Sequence, residues 1–151
     1  MTVLGPIDPG ELGVTMMHEH LFIDLSERKQ DPDARLEDLE LACQEVAHLQ
    51  RAGGKALVEL TCIGMGREAA KLRQVAERTG LQVIAATGFY QQDFHPPYVA
   101  ERSVEELTEQ LWNEVAQGLD GTDVHPGILG EIGTSKDEIR PDEVKVFQAV
   151  A

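Results

Sequence analysis

Four strand–helix units in series predict an α/β fold on a parallel sheet. Three observations carry that expectation. Apolar residues recur at helical spacing over 34–51, 67–79 and 103–118, with strand-like runs between them. Residues 82–88 (QVIAATG) are mostly apolar, as in a strand buried on both faces. Glycines at 53–54 and 80 stop the first two helices. Two architectures fit this order, a doubly wound open sheet and part of a (β/α)8 barrel. No G-x-G-x-x-G follows the first strand, which removes the dinucleotide-binding version of the open sheet. A whole barrel takes about 250 residues. The 151 residues hold four units and stop within the fourth helix, so the barrel reading is a half barrel over 1–151.

Taken in order, a Gly/Pro-rich lead ends in a short strand over Val14–His18. Asp31-Pro32-Asp33 breaks the chain, and a helix is expected from Ala34 to about Arg51. The second strand covers Lys55–Thr61, followed by a turn at Gly64 and Gly66. A second helix spans Arg67–Thr79, with Leu72, Val75 and Ala76 on its apolar side. The third strand, Gln82–Gly88, leads into a long loop from Phe89 to about Arg102 with Pro96-Pro97 inside it. Ser103 with Glu106 forms a capping box before a third helix that runs to about Gly118. The fourth strand is Gly127–Gly133, and Pro141 with Asp142 and Glu143 opens the last helix.

Composition narrows the function. The net charge of −14 repels nucleic-acid phosphates and anionic membrane surfaces, so neither is an expected partner. No apolar run approaches the ~20 residues of a membrane span. The N-terminus lacks the basic and apolar regions of a secretory signal, and a cytoplasmic location is expected. Cys43 and Cys62 then read as half-buried free thiols.

His18-Glu19-His20 closes the first strand. Alternate strand residues face the same way, so both imidazoles point together, about 6–7 Å apart along the backbone, and are able to grip one divalent ion. Taken alone, the pair fits hydrogen-bonding strand caps better than a metal site. Glu131, in a Gly-Glu-Ile-Gly setting at the end of the fourth strand, adds a carboxylate on the same rim and strengthens the metal reading. Its two oxygens suit a bridge between two ions. Glu59 reads as a buried hydrogen-bonded support rather than a ligand. Asp24 is either an outer partner that orients an imidazole or a loop aspartate. His95, in the long loop, reads as solvated, with substrate contact as the alternative. His48 and His125 read as structural.

These residues also resemble a known family. Gly13 to Leu21 (GVTMMHEHL), with Asp24 after it, resembles the opening motif of the phosphotriesterase family in the amidohydrolase superfamily. Met65-Gly66-Arg67 and Thr87-Gly88-Phe89-Tyr90 resemble that family's loops after strands 2 and 3. Arg102-Ser103-Val104 and residues 127–135 (GILGEIGTS) resemble its phosphotriesterase homology branch. The resemblance implies a (β/α)8 barrel, here its first four units, with a binuclear centre of two divalent ions of the zinc type. It implies that His18 and His20 bind the more buried ion and that Glu131 bridges the pair as metal ligand and catalytic residue. Tyr90 would sit in the substrate loop. A hydroxide held between the ions, its pKa lowered toward ~7, would attack phosphotriesters, lactones or carboxylic esters. The family's other ligands, two histidines from strands 5 and 6, and its aspartate proton acceptor from strand 8 have no counterpart here. A homo-oligomer or a missing C-terminal half is therefore expected to complete the site and cover the open sheet edges.

Two alternatives compete. A TatD-type metal-dependent deoxyribonuclease also has an early His-x-His and a Gly-Glu-Ile-Gly, but the acidic surface and the His-Glu-His-Leu form stand against it. A catalytically inactive half barrel that self-associates through its edges is the other.

Overall fold

A computed structural model describes residues 1–151. Its strands are β1 (Thr15–Glu19), β2 (Ile23–Asp24), β3 (Arg35–Leu36), β4 (Ala56–Glu59), β5 (Gln82–Thr87) and β6 (Ile128–Leu129). Its α-helices are α1 (Ser26–Lys29), α2 (Leu39–Arg51), α3 (Ala69–Thr79), α4 (Tyr98–Glu101), α5 (Val104–Gln117) and α6 (Pro141–Val150).

Strand order decides between the two architectures. The main sheet runs β1-β4-β5-β6 and all three of its pairings are parallel. Each strand is added beside the previous one and the order never reverses. A doubly wound sheet needs a reversal point; a barrel does not. The chain is thus the first half of a (β/α)8 barrel.

Side-chain alternation builds the layers. Leu57, Val83 and Ala85 join the larger core with Val46 of α2 and Leu72, Val75 and Ala76 of α3. Val58 and Ala86, one position on, form a separate cluster with Leu60 on the opposite face. A third cluster sets Phe89 and Val99 against Leu107 and Leu111 of α5 and Val146 of α6. The larger core seals the outer helices, and the middle strands are buried on both faces, as the apolar run at 82–88 predicts.

Most boundaries shift by one or two residues, and three regions differ more from the sequence reading. The first long helix begins at Leu39, not Ala34. Asp38 caps it, its Oδ1 accepting from Leu41 N at 3.0 Å, while Arg35–Leu36 pairs antiparallel with Ile23–Asp24. The fourth strand is shorter than Gly127–Gly133. Ladder bonds extend only to Gly127 N–Ala85 O and Gly130 N–Thr87 O, and the chain leaves the sheet at Gly130, whose φ is 143°. The loop from Phe89 to Arg102 is folded, with a 3-10 turn at Gln92–Phe94 and α4 directly after Pro97. The capping box of α5 forms as expected: Glu106 N donates to Ser103 Oγ and Ser103 N to Glu106 Oε2.

β1 is an edge strand with a register irregularity between Met16 and Glu19. Bulges of this kind re-aim side chains beside functional sites. Here the irregular segment is the one that carries His18.

Candidate metal centre

The strand ends bring three donors together. His18 Nε2 lies 3.2 Å from Glu131 Oε2, and His20 Nε2 lies 3.6 Å from Glu131 Oε1. One ligand atom from each of these residues fits within a 4.8 Å span. The two imidazole rings sit edge to face with centroids 5.5 Å apart. Separations of this size suit donors about 2.0–2.2 Å from one ion, and two nitrogens with a carboxylate oxygen are a zinc-like donor set. No other group of three His, Cys, Asp or Glu side chains converges in this way.

The electrostatics fit a cation. Burial raises the pKa of Glu131, and the nearby His18 partly reverses this. Burial, then the charge of His18, lowers the pKa of His20. The carboxylate is thus short of positive charge, and His20 favours the neutral form that a metal requires.

Behind His20 stands a network of Glu59, read from the sequence as a buried support, and Thr61, which the sequence reading missed. Thr61 Oγ1 is 2.9 Å from His20 Nδ1 and 2.6 Å from Glu59 Oε1. With His20 Nδ1–H donating to Thr61, and the Thr61 hydroxyl donating to Glu59, His20 presents a bare Nε2 toward Glu131. Glu59 is buried and also accepts from Leu21 N and Thr61 N. Burial pushes its pKa up to about 7 against those hydrogen bonds. Glu59 therefore stands behind the His20 imidazole, outside the group of three donors. Nothing in the sequence separates Thr61 from any other threonine at a strand end.

The remaining candidates scatter. Asp24 accepts from Ser26 N and Oγ and pairs with Arg35, so it holds its own loop and touches no imidazole. His95 is 5% exposed and buried, contrary to the solvated reading. Its Nε2 lies 3.1 Å from the Tyr90 carbonyl, and its ring packs edge-on to Phe89. His125 hydrogen-bonds the Val115 carbonyl, away from the donor set. Both cysteines are free, and buried Cys62 donates from Sγ to the Glu131 carbonyl at 3.2 Å. Tyr90 does reach the site. With Met65, Phe94 and the three donors it lines a cleft of about 380 Å³.

Two further buried charged residues tie together the loops around the strand ends, in roles the sequence reading did not assign. Arg67 is almost fully buried, paired with both oxygens of Glu114 and with Asp120. Glu143, on α6, accepts from Ser135 N, Ser135 Oγ, Gln92 N and Arg140 N. It ties the loop after β6, which carries Glu131, to the loop that carries Tyr90.

Comparison with known proteins places the chain in a family. The model of the phosphotriesterase family matches residues 1–151. The chain belongs to the phosphotriesterase family. It is 46% identical over 139 residues to the phosphotriesterase homology protein of Escherichia coli, covering 92% of this chain and 48% of that one. It is 38% identical over 180 aligned positions to the N-acetyltaurine hydrolase of Xenopus tropicalis, covering 99% of this chain and 51% of the relative. Among solved structures, the Escherichia coli phosphotriesterase homology protein with phosphate in its active site superposes with a TM-score of 0.89 at 45% identity, over 92% of this chain and 48% of that one. The lactonase Lmo2620 of Listeria monocytogenes superposes with a TM-score of 0.90 at 29% identity, over 99% of this chain and 51% of that one. This phosphotriesterase-family chain spans about half the length of the relatives it matches. Several of its relatives are hydrolases by name.

Proposed function

We propose that this chain supplies the first half of a metal-dependent hydrolase centre with two divalent ions, zinc by preference. His18, His20 and Glu131 would be the residues of this chain that hold the ions. The convergence of two imidazole nitrogens and a carboxylate at the strand-end rim supports the reading. A bound divalent ion supplies Lewis acidity and lowers the pKa of water toward ~7. The reaction is addition of water across an ester-type bond: a phosphotriester, a lactone or a carboxylic ester. Relatives named N-acetyltaurine hydrolases extend this class to the amide of an N-acyl group, which is the same acyl transfer to water.

The chain's own residues orient and enclose. Thr61 and Glu59 hold the His20 ring. Met65, Tyr90 and Phe94 give the cleft apolar walls. Burial, then the charge of Glu131, raises the pKa of Tyr90, so its hydroxyl stays a proton donor toward a substrate oxygen. The remaining metal ligands and the proton acceptor come from a second unit, either a C-terminal half or a second copy of this chain. The outer edges support this: Val14, Met17, Ile128 and Leu129 are exposed along β1 and β6, and a parallel barrel closes with eight strands. No helix is long and apolar enough to cross a membrane. With the free thiols, this favours the cytoplasm.

The same edges favour a second reading, an inactive half barrel that only self-associates. Bound metal per chain after exhaustive dialysis, measured with molar mass in solution, separates the two. Retained zinc that disappears in His18→Ala is the expected result, followed by ester and lactone hydrolysis in the closed assembly. A self-associated chain that takes up no zinc on titration would establish the inactive reading instead.

A further inference from the structure

The loop that walls the cleft is built around one buried ring. Residues 89–97 leave β5, turn through Gln92–Phe94 and present Tyr90, Gln91 and Phe94 to the space beside the metal donors. His95 lies on the inner side of the same loop. Its Nε2 is 3.1 Å from the carbonyl of Tyr90. A carbonyl only accepts, so Nε2 carries the proton. The other nitrogen, Nδ1, is buried and has no partner. The ring is thus a neutral imidazole of one defined tautomer, seated against Phe89 with centroids 5.9 Å apart. Burial holds its pKa below the ordinary histidine value, although Asp142 and Glu143 of α6 act in the opposite direction. The backbone is tied as well, since Arg28 Nη2 donates to the His95 carbonyl at 3.3 Å.

The surroundings leave little room for the loop to settle differently. Gly64, in the loop after β4, approaches so closely that a Cβ there would lie 2.4 Å from the Phe94 carbonyl and 2.9 Å from Pro96 Cδ. Tyr90 and Phe94 stack at 5.5 Å on the cleft side. The one polar side-chain bond across the inside of the loop is the one from His95 to Tyr90.

We propose that His95 is a positioning residue: by donating from Nε2 to the Tyr90 carbonyl it fixes the Tyr90–Phe94 wall of the cleft, and so the shape offered to the substrate's leaving or acyl group. The importance of the wall rests on the cleft being the hydrolase site; the fixing itself does not.

The test uses the full chain labelled with fluorotyrosine, without added metal. Tyr90 and Tyr98 are its two tyrosines, so two fluorine resonances result, assigned with Tyr90→Phe. His95→Gln keeps an N–H donor at the position of Nε2, whereas His95→Leu keeps the bulk and loses the donor. The Tyr90 resonance is expected to move toward the solvent-exposed position in His95→Leu and to remain native in His95→Gln, with Tyr98 unchanged as the fold control. Amide exchange at Phe94 and His95 is expected to quicken about tenfold in the leucine variant only, the equivalent of one hydrogen bond. A native Tyr90 signal in His95→Leu, or an equal displacement in both variants, overturns the assignment. If the leucine variant does not fold, the wild-type imidazole nitrogen spectrum decides. Proton on Nε2 with bare Nδ1 is required, and the other tautomer refutes it. Metal content is read separately, so failure of the metal reading leaves this result interpretable.

Discussion

Glu143→Gln replaces a buried carboxylate, which accepts four hydrogen bonds, with an amide that accepts on one side only. Oε1 takes Ser135 N at 2.9 Å, Ser135 Oγ at 2.6 Å and Gln92 N at 3.1 Å, while Oε2 takes Arg140 N at 2.9 Å. Whichever way the glutamine amide turns, its NH2 faces a backbone donor. One buried N–H is left unpaired at about 1–3 kcal/mol, and the other bonds lose their charge assistance. The pKa reflects the same bonds. Burial pushes Glu143 up, but the bonds from Ser135, Arg140 and Gln92 outweigh it and hold the group at about 2 against an ordinary 4.5. That displacement corresponds to about 3 kcal/mol of stability. The sign follows from the depressed value: the contribution is complete above pH 4.5 and fades as the pH falls through 2. Urea unfolding of wild type and variant at a series of pH values checks this. A gap of about 3 kcal/mol is expected at pH 7, closing steadily between pH 4.5 and 2. A gap that stays constant with pH, or one below about 0.5 kcal/mol at neutral pH, would refute the reasoning.

Arg67→Leu leaves Glu114 and Asp120 facing one another without their shared cation; a loss of about 3–5 kcal/mol is expected in the same unfolding assay. Thr61→Val removes the hydroxyl between His20 and Glu59 and is expected to weaken zinc binding 10–100-fold by calorimetric titration. An unchanged affinity would mean that the ring is oriented by something else. Gly66→Ala places a Cβ 2.8 Å from both Asp24 N and Asp24 Cβ at a φ of 79°; thermal unfolding is expected to show a cost of about 1–3 kcal/mol.

What the sequence makes legible is whatever repeats at short range. Helical spacing over 67–79, the Ser103–Glu106 capping box and the glycine at 80 mark elements whose causes lie within one turn, and α3 and α5 appear where these signals place them. His18 and His20 are two residues apart, so strand alternation brings them together without tertiary information. The start of α2 is harder, because Asp38 and the pairing of Arg35–Leu36 with Ile23–Asp24 compete with helical propensity at 34–37. His95 is read as solvated because loop histidines usually are, and its burial depends on Phe89 and on α6, fifty residues further on. The roles of Thr61, Glu143 and Arg67 are hidden for the same reason: each works through partners from other elements. Their residue types carry no mark of it.

The donor set has an unusual provenance. His18 comes from the first strand of the sheet and Glu131 from just beyond the last, with β4 and β5 between them. Three strand spacings amount to about 14 Å, yet the side chains approach to 3.2 Å because the sheet curls its two margins toward each other. An ion held there works as a clasp. It cannot be gripped by a chain still emerging from the ribosome until residue 131 is out and both middle strands are in place. Its affinity therefore measures the assembly of the whole curved sheet, and a variant that flattens the curl anywhere along β4 or β5 will loosen the ion without touching a ligand.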